Sequence, residues 1–353
     1  MYRLFLSVLL SIPCSAQANK MNTDEELTTK LESIRVQNAI PAMSVAIITS
    51  GKVTFIKGFG FVDEEMKKRT GPKSLFRIAS ISKLFTAQAI MQLVEKNKID
   101  LNEKVARYLP SFTGSSITVK QLLTHTSGLS DTVKPVSHEK QRTLNAYLKV
   151  VEKSASKSSD NYDFEYSDTN YNILGAIISS VSGMSYEDYL YTHILTPARM
   201  TKSGYFNGEH AYYPESKPTY KGKIIDKSHQ RPYDVSFNPS EGLISNVNDL
   251  SQWLALTLAN DESLLKKQTY EDMLQPQVKT SWGEIHMGLG WQVYKNSNDN
   301  IARHPGSIRG YKSLVLTYPD SKNALIVLTN SSNTPRWEIA KSITKILEQR
   351  AQW

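Results

Sequence analysis

Leu27, Leu31 and Ile34 fall at i, i+4 and i+7, the stripe of a helix that buries one face. Residues 42–49 and 53–61 read as two strands joined at Ser50-Gly51, a hairpin. From 78 to 96 the pattern is helical but apolar on most sides, through Leu84, Phe85, Ala87, Ile90, Met91, Leu93 and Val94. A helix of that kind belongs in the middle of its fold. Residues 97–200 are mostly helical by pattern, broken by a Ser/Lys-rich loop at 154–159. Residues 201–240 are polar and tyrosine-rich with scattered Pro and Gly, a long loop region or several short elements. Strands return at 288–294, 310–318 and 323–330, the last two linked by the turn Pro319-Asp320-Ser321-Lys322. Thr334-Pro335 then opens a final helix with Ile339, Ile343, Ile346 and Leu347 on one face.

Strands at both ends around a helical middle predict an α/β (α+β) fold. One antiparallel sheet is built from both chain termini and flanked by helices, with a mostly helical domain inserted. The sheet domain is expected over 19–85 and 241–353, and the inserted domain with its long loops over 86–240. Residues 1–18 stand apart. Arg3, the apolar run 4–12 and Ala16-Gln17-Ala18 have the order of a signal peptide cleaved after Ala18. The run is too short to span a bilayer comfortably, so no stable membrane span is expected once it is removed. Cys14 as a lipidated first residue is a rival reading, but Pro13 and Ser11 fit a lipobox poorly. An exported protein, periplasmic or secreted, is the expectation.

Composition narrows the function. The 353 residues are 40% hydrophobic and 22% charged, which excludes a disordered chain. Lys+Arg 42 against Asp+Glu 34 gives +8, spread along the chain without a basic block, so no nucleic-acid partner is expected. The single cysteine, Cys14, rules out an internal disulfide framework and a thiolate cluster. Of the seven histidines (125, 138, 193, 210, 229, 286 and 304), no two have the spacing of a helical or hairpin zinc site. No metal and no cofactor are expected. His125, in Thr124-His125-Thr126-Ser127-Gly128, reads as a residue that ties down a loop by hydrogen bonds. Tyr205, Tyr212, Tyr213, Tyr220 and Tyr233 read as packing for the long loop.

Chemistry enters with Ser80-Ile81-Ser82-Lys83, at the entrance to the buried helix. Ser80 and Lys83 are three apart and share a helical face. A serine hydroxyl needs an adjacent proton acceptor to act as a nucleophile near neutral pH, and a lysine can help where burial or neighbours tune it. The helix start adds the Ser80 N–H, aimed where an oxyanion would develop. Alone, this pattern also fits a capping serine beside a solvated lysine. Two further stretches change that: Phe164-Glu165-Tyr166-Ser167-Asp168-Thr169-Asn170-Tyr171, ahead of an apolar helix starting near Ile173, and His304-Pro305-Gly306-Ser307, leading into the strand that begins near Gly310.

Together these stretches resemble the serine β-lactamase and penicillin-binding-protein superfamily, in its class C-like branch. That branch also holds D-alanyl-D-alanine carboxypeptidases, D-aminopeptidases, esterases and LACTB-type proteases. Phe76-Arg77-Ile78-Ala79 before Ser80, residues 117–129 and Gly288-Leu289-Gly290-Trp291 are similar to its recurrent stretches, so the resemblance covers nearly the whole mature chain. It implies Ser80 as the acylated nucleophile, Lys83 sharing its proton, and Tyr166 as general base or relay to the leaving group. It implies an oxyanion hole from the backbone N–H groups of Ser80 and Ser307. His304 takes the place of the lysine of K-T-G, near the Tyr166 hydroxyl, and Gly306 holds that motif's glycine position. A second alignment sets Ser167-Asp168-Thr169 on S-D-N and makes Ser167 the relay.

Two departures bear on specificity. Asp168 stands where the family usually has Asn: it still accepts a hydrogen bond from Lys83, but cannot donate one to a substrate carbonyl, and it holds Lys83 more firmly protonated. Pro305 replaces a hydroxyl residue that helps bind a substrate carboxylate, which favours ester or amide substrates lacking one. Arg309 could restore a carboxylate contact. The resemblance thus implies an exported serine hydrolase acting on a small-molecule or peptidoglycan-type substrate. A binding or scaffolding relative that keeps only the fold is the alternative, and intact Ser80, Lys83 and Tyr166 argue against it.

Overall fold

The computed structural model describes residues 15–353 except 64, 138–141, 156–162, 208–211 and 297–298, with backbone alone at 15–22 and 154–155. The predicted signal segment, with Cys14, therefore lies outside the described residues up to 14, as do His138, His210 and most of the predicted 154–159 loop. The first half of the chain runs α1 (Ser15–Gln37), β1 (Ala42–Thr49), β2 (Lys52–Gly60), β3 (Phe76–Arg77), α2 (Ser82–Glu95), α3 (Val119–Leu123), α4 (Leu144–Ala155), α5 (Asp168–Ser182) and α6 (Tyr186–Leu190). Short strands β4 (Thr219–Tyr220), β5 (Lys223–Ile224) and β6 (Ile244–Ser245) lead to α7 (Val247–Ala259) and α8 (Lys267–Leu274). The chain ends in β7 (Val278–Lys279), β8 (His286–Met287), β9 (Gln292–Lys295), β10 (Asn300–Ile308), β11 (Tyr311–Tyr318), β12 (Asn323–Thr329) and α9 (Arg336–Gln349).

The sheet has eight strands in the order β2-β1-β12-β11-β10-β9-β8-β7, antiparallel throughout, and joins both ends of the chain at the β1–β12 pair. Both faces are covered, which is why β1 and β12 read as unbroken apolar runs. Met43, Val45 and Ile47 of β1 pack with Leu27, Leu31 and Ile34 of α1 and Ile339 and Ile343 of α9 on one face. Ala42, Ala46 and Ile48 face the larger core on the other, with α2, α5 and α7. Helix α2 is buried from Ser82 to Leu93, as its all-round apolar pattern predicts.

Three predicted elements differ. Over 97–137 and 142–143 the chain is turns and irregular backbone with two 3₁₀ turns and one short helix, α3, rather than mostly helix. Gly288 to Trp291 form a turn ahead of β9: Gly290 has φ +94°, and a Cβ there would meet the Ala87 Cβ at 2.5 Å. The His304-Pro305-Gly306-Ser307 stretch does not precede a strand; it lies inside β10, and Gly310, at φ +93°, makes the turn into β11.

Candidate active site

Three segments meet at one cleft. Ser80 lies in a 3₁₀ turn, 79–81, that runs into α2. The residue before it, Ala79, is held at φ 52°, a left-handed conformation that a non-glycine residue adopts only when its surroundings impose it. Those surroundings are visible. The Ser82 hydroxyl donates to the Ala79 carbonyl at 2.7 Å and accepts from the Leu243 N–H at 3.0 Å. The Ser313 hydroxyl of β11 donates to the Ile78 carbonyl at 2.7 Å. Residues 304–308 extend beyond the β9 pairing, which stops at Arg303, so this half of β10 has an open edge. It lies against the Ser80 turn, and Pro305 is tolerated there because an edge residue need not donate on its unpaired side.

Tyr166 is fixed from behind by His125. The buried ring stacks on Tyr166 at 4.3 Å, its Nδ1 accepts from the Ser167 N–H at 3.1 Å, and its carbonyl accepts from the Glu165 N–H at 2.9 Å. His125 is thus a loop tie, as its motif suggests. Ser167 is buried and its hydroxyl donates to Asp131 at 2.7 Å while capping α5 by accepting from the Thr169 N–H at 3.2 Å. That commitment leaves Tyr166, and not Ser167, as the hydroxyl that interacts with Ser80 and Lys83.

Lys83 is 0% exposed, and its three N–H groups are all taken. They go to Asp168 Oδ1 at 2.6 Å, the Ser240 carbonyl at 3.0 Å and Ser80 Oγ at 3.3 Å. Burial disfavours the cation, but Asp168 and Tyr166 outweigh it and hold Lys83 above its ordinary value. Burial likewise pushes the Tyr166 phenol above 10, with Asp168 adding to the rise while Lys83 and Ser80 oppose it. His304 is buried, and burial and then the Lys83 charge push it down to about 3, so its ring is neutral. Its Nδ1–H donates to the Pro305 carbonyl at 2.9 Å, and Nε2 has no protein partner. The expected contact with the Tyr166 hydroxyl is not made; the two rings stand 6.4 Å apart.

The cleft holds about 560 Å³ and is lined by Ser80, Tyr166, Asp168, Arg231, Ser307 and Arg309 among others. Arg309 is exposed at its rim. Arg231 and Glu241 belong to the site although nothing in their local sequence marks them. Arg231 makes a bidentate pair with Glu241 at 2.9 Å and reaches Asp168 at 3.7 Å, while Arg77 approaches Glu241 at 3.7 Å from below. Trp282, on the β7–β8 turn and 40% exposed, stands edge-on to Phe164 at 4.9 Å and 5.7 Å from Tyr166, forming an aromatic wall. Of the loop tyrosines, Tyr205 is buried on Tyr186 and Tyr233 stacks on Phe206 above Arg77, so both are packing. Among the described residues no three His, Cys, Asp or Glu side chains gather so as to hold a metal ion, and no helix is long and apolar enough to cross a membrane.

The Asp168 carboxylate raises both Lys83 and Tyr166, which gives a testable sign. Losing one proton from this pair takes a higher pH while Asp168 is charged. Activity that needs the deprotonated pair is expected to rise about tenfold per pH unit from pH 7 to 9. In Asp168→Asn that limb is expected to move to lower pH, because Asn keeps the acceptor and removes the charge. A pH profile of kcat/KM for both forms checks this; a limb that stays or moves up refutes it.

The chain is similar to known proteins in sequence and in fold. Protein flp of Staphylococcus aureus (strain MW2) is 28% identical over 327 residues, 88% of this chain and 63% of that protein, so the chain spans under two-thirds of that relative. The octameric penicillin-binding protein homologue from Pyrococcus abyssi superposes with a TM-score of 0.79 at 29% identity, covering 93% of this chain and 77% of that one. D-amino acid amidase from Ochrobactrum anthropi SV3, solved with L-phenylalanine, also gives 0.79, at 21% identity over 93% of this chain and 99% of its own. The Beta-lactamase family model matches residues 24–346, from the middle of α1 to the last turns of α9, and it is to that family, within the serine β-lactamase and penicillin-binding-protein superfamily, that the chain belongs.

Proposed function

We propose that the protein is a serine hydrolase that opens amide or ester bonds through an acyl-Ser80 intermediate, needs no cofactor, and is exported. The observation that carries this reading is the convergence of Ser80, Lys83, Asp168 and Tyr166 on one cleft beside the open half of β10. Lys83, with every N–H occupied, acts as a fixed cation and not as a base. The base is the Tyr166 oxygen once the phenol has ionised beside that cation. It takes the Ser80 proton as Oγ bonds to the substrate carbonyl carbon, and the carbonyl electron pair moves to oxygen. The N–H groups of Ser80 and Ser307 receive that oxyanion. Tyr166 then returns the proton to the leaving amine or alcohol as its bond to carbon breaks, and water repeats the sequence to free Ser80.

Pro305 supplies no hydroxyl for a substrate carboxylate, so esters and amides without one fit the cleft, and Arg309 at the rim is the group that could hold a charged tail. Peptidoglycan-type D-amino peptides, carboxyl esters and β-lactams are the substrate classes to compare. Export rests on Arg3, the apolar run 4–12 and Ala16-Gln17-Ala18. The test is intact mass after incubation with p-nitrophenyl esters, nitrocefin and a muropeptide stem. One acyl adduct is expected, mapping to Ser80. An adduct elsewhere, or none with any donor, overturns the proposal.

A further inference from the structure

Behind the Gly306–Ser307 peptide lies a cation that no catalytic step so far uses. Arg336, the first residue of α9, donates from Nη1 to the Gly306 carbonyl at 2.6 Å and approaches the Ser313 carbonyl at 3.5 Å. Both acceptors are main-chain oxygens. Among the described residues no carboxylate pairs with Arg336. The same holds for Arg303, which lies 4.3 Å over the Trp337 ring, and for Lys312, which donates to the Ser307 hydroxyl at 2.7 Å. Two unneutralised arginines thus back the strand that faces Ser80, and Lys312 adds a third cation where the strand borders the cleft. Confining them together has a cost: burial and Arg303 lower Arg336 to about 10. Their field also reaches the site, since Arg336 and Arg303 both help to keep His304 neutral.

The Gly306 carbonyl and the Ser307 N–H are the two ends of one trans peptide and point in opposite directions. A guanidinium pulling on the carbonyl from the α9 side therefore aims the N–H at the open edge, and draws electron density away from its nitrogen. We propose that Arg336 is a positioning residue for the oxyanion hole, orienting and polarising the Gly306–Ser307 peptide so that its N–H binds the developing oxyanion more strongly. This rests on the acyl-Ser80 reading and adds a residue, from the last helix of the chain, that touches no substrate.

Arg336→Met keeps most of the side-chain volume without the charge, and Arg336→Lys keeps the charge. The probe is a fluorophosphonate, whose phosphoryl oxygen occupies the oxyanion site as Ser80 is modified. For Arg336→Met the maximal labelling rate is expected to fall about tenfold, with the half-saturating concentration unchanged within twofold, a fraction of what loss of a whole oxyanion donor costs. Arg336→Lys is expected to recover most of the rate, and both variants are expected to melt near the wild type. A Met variant that labels at the wild-type rate refutes the inference while leaving Ser80 as nucleophile. A rate that falls in both variants together with the melting temperature assigns Arg336 a structural role and refutes it too. No labelling of the wild type overturns the acyl-serine reading, and this inference with it.

Discussion

Replacing Ser80 by Ala is expected to lower kcat on any substrate the protein turns over by on the order of 10⁴-fold or more, with no acyl adduct detectable. The side chain that is lost is small and touches only Lys83, at 3.3 Å, and the Tyr166 hydroxyl by hydrogen bond, so the variant is expected to fold and melt like the wild type. Tyr166→Phe is expected to fall by about 10²- to 10⁴-fold, the range of a lost general base. The informative measurement is the double variant. If Tyr166 acts only by taking the Ser80 proton, Ser80→Ala combined with Tyr166→Phe is expected to be no slower than Ser80→Ala alone. Multiplying effects would mean that Tyr166 serves some other step. A wild type that no fluorophosphonate labels, with Ser80→Ala changing no measured activity, would restore the scaffold reading of the fold. Lys83→Ala is a less direct probe. It strips a cation from the middle of a network in which Asp168 and the Ser240 carbonyl are its other partners, and leaves Asp168 without its nearest cation.

What the chain discloses by pattern depends on how each segment is buried. β1, β12 and α2 are legible because they are covered all round and so are continuously apolar, and α9 is legible because one face alone is covered. β10 hides. Arg303, His304, Pro305, Gly306 and Ser307 have the composition of a turn, yet they lie in a strand because one edge of that strand is given over to the site and not to a neighbour. The Ser80–Lys83 contact follows from helical spacing, and the Lys83–Asp168 pair from chemistry once the motif is in place. Arg231, Glu241, Trp282 and Arg336 do not follow from either. Arg231, Glu241 and Trp282 sit in segments with no periodic signal of their own and reach the cleft only through long-range packing, while Arg336 lies in a legible helix whose pattern says nothing of its contact with the Gly306 carbonyl. His304 shows the converse limit: the motif places it in the site, but its hydrogen bond goes to the adjacent Pro305 carbonyl and its Nε2 makes none to the partner the resemblance implied.

The closeness of β10 to the Ser80 turn gives the second large effect. A Cβ on Gly306 would lie 2.2 Å from the Ile78 carbonyl, 2.1 Å from Ser313 Oγ and 3.3 Å from the Ala79 Cβ. Neither of the first two can yield cheaply. The Ile78 carbonyl is backbone in the turn that sets Ser80, and the Ser313 hydroxyl is bonded to that same carbonyl at 2.7 Å. In Gly306→Ala the strand is therefore expected to back away from the turn by about 1 Å, and a misplacement of that size costs about 10²-fold in rate. Stability is expected to fall as well, by about 1–3 kcal/mol, the usual result of forcing a methyl into a filled space. Because the Ser307 N–H moves with the strand, the loss is expected in kcat, with KM changed little. Adding Ser313→Ala removes one obstruction and leaves the Ile78 carbonyl, so only part of the rate is expected to return. Kinetics and melting of the single and double variants decide it. If Gly306→Ala retains activity within threefold, the strand does not set the distance between Ser80 and the Ser307 N–H, and the oxyanion hole must be built from other donors.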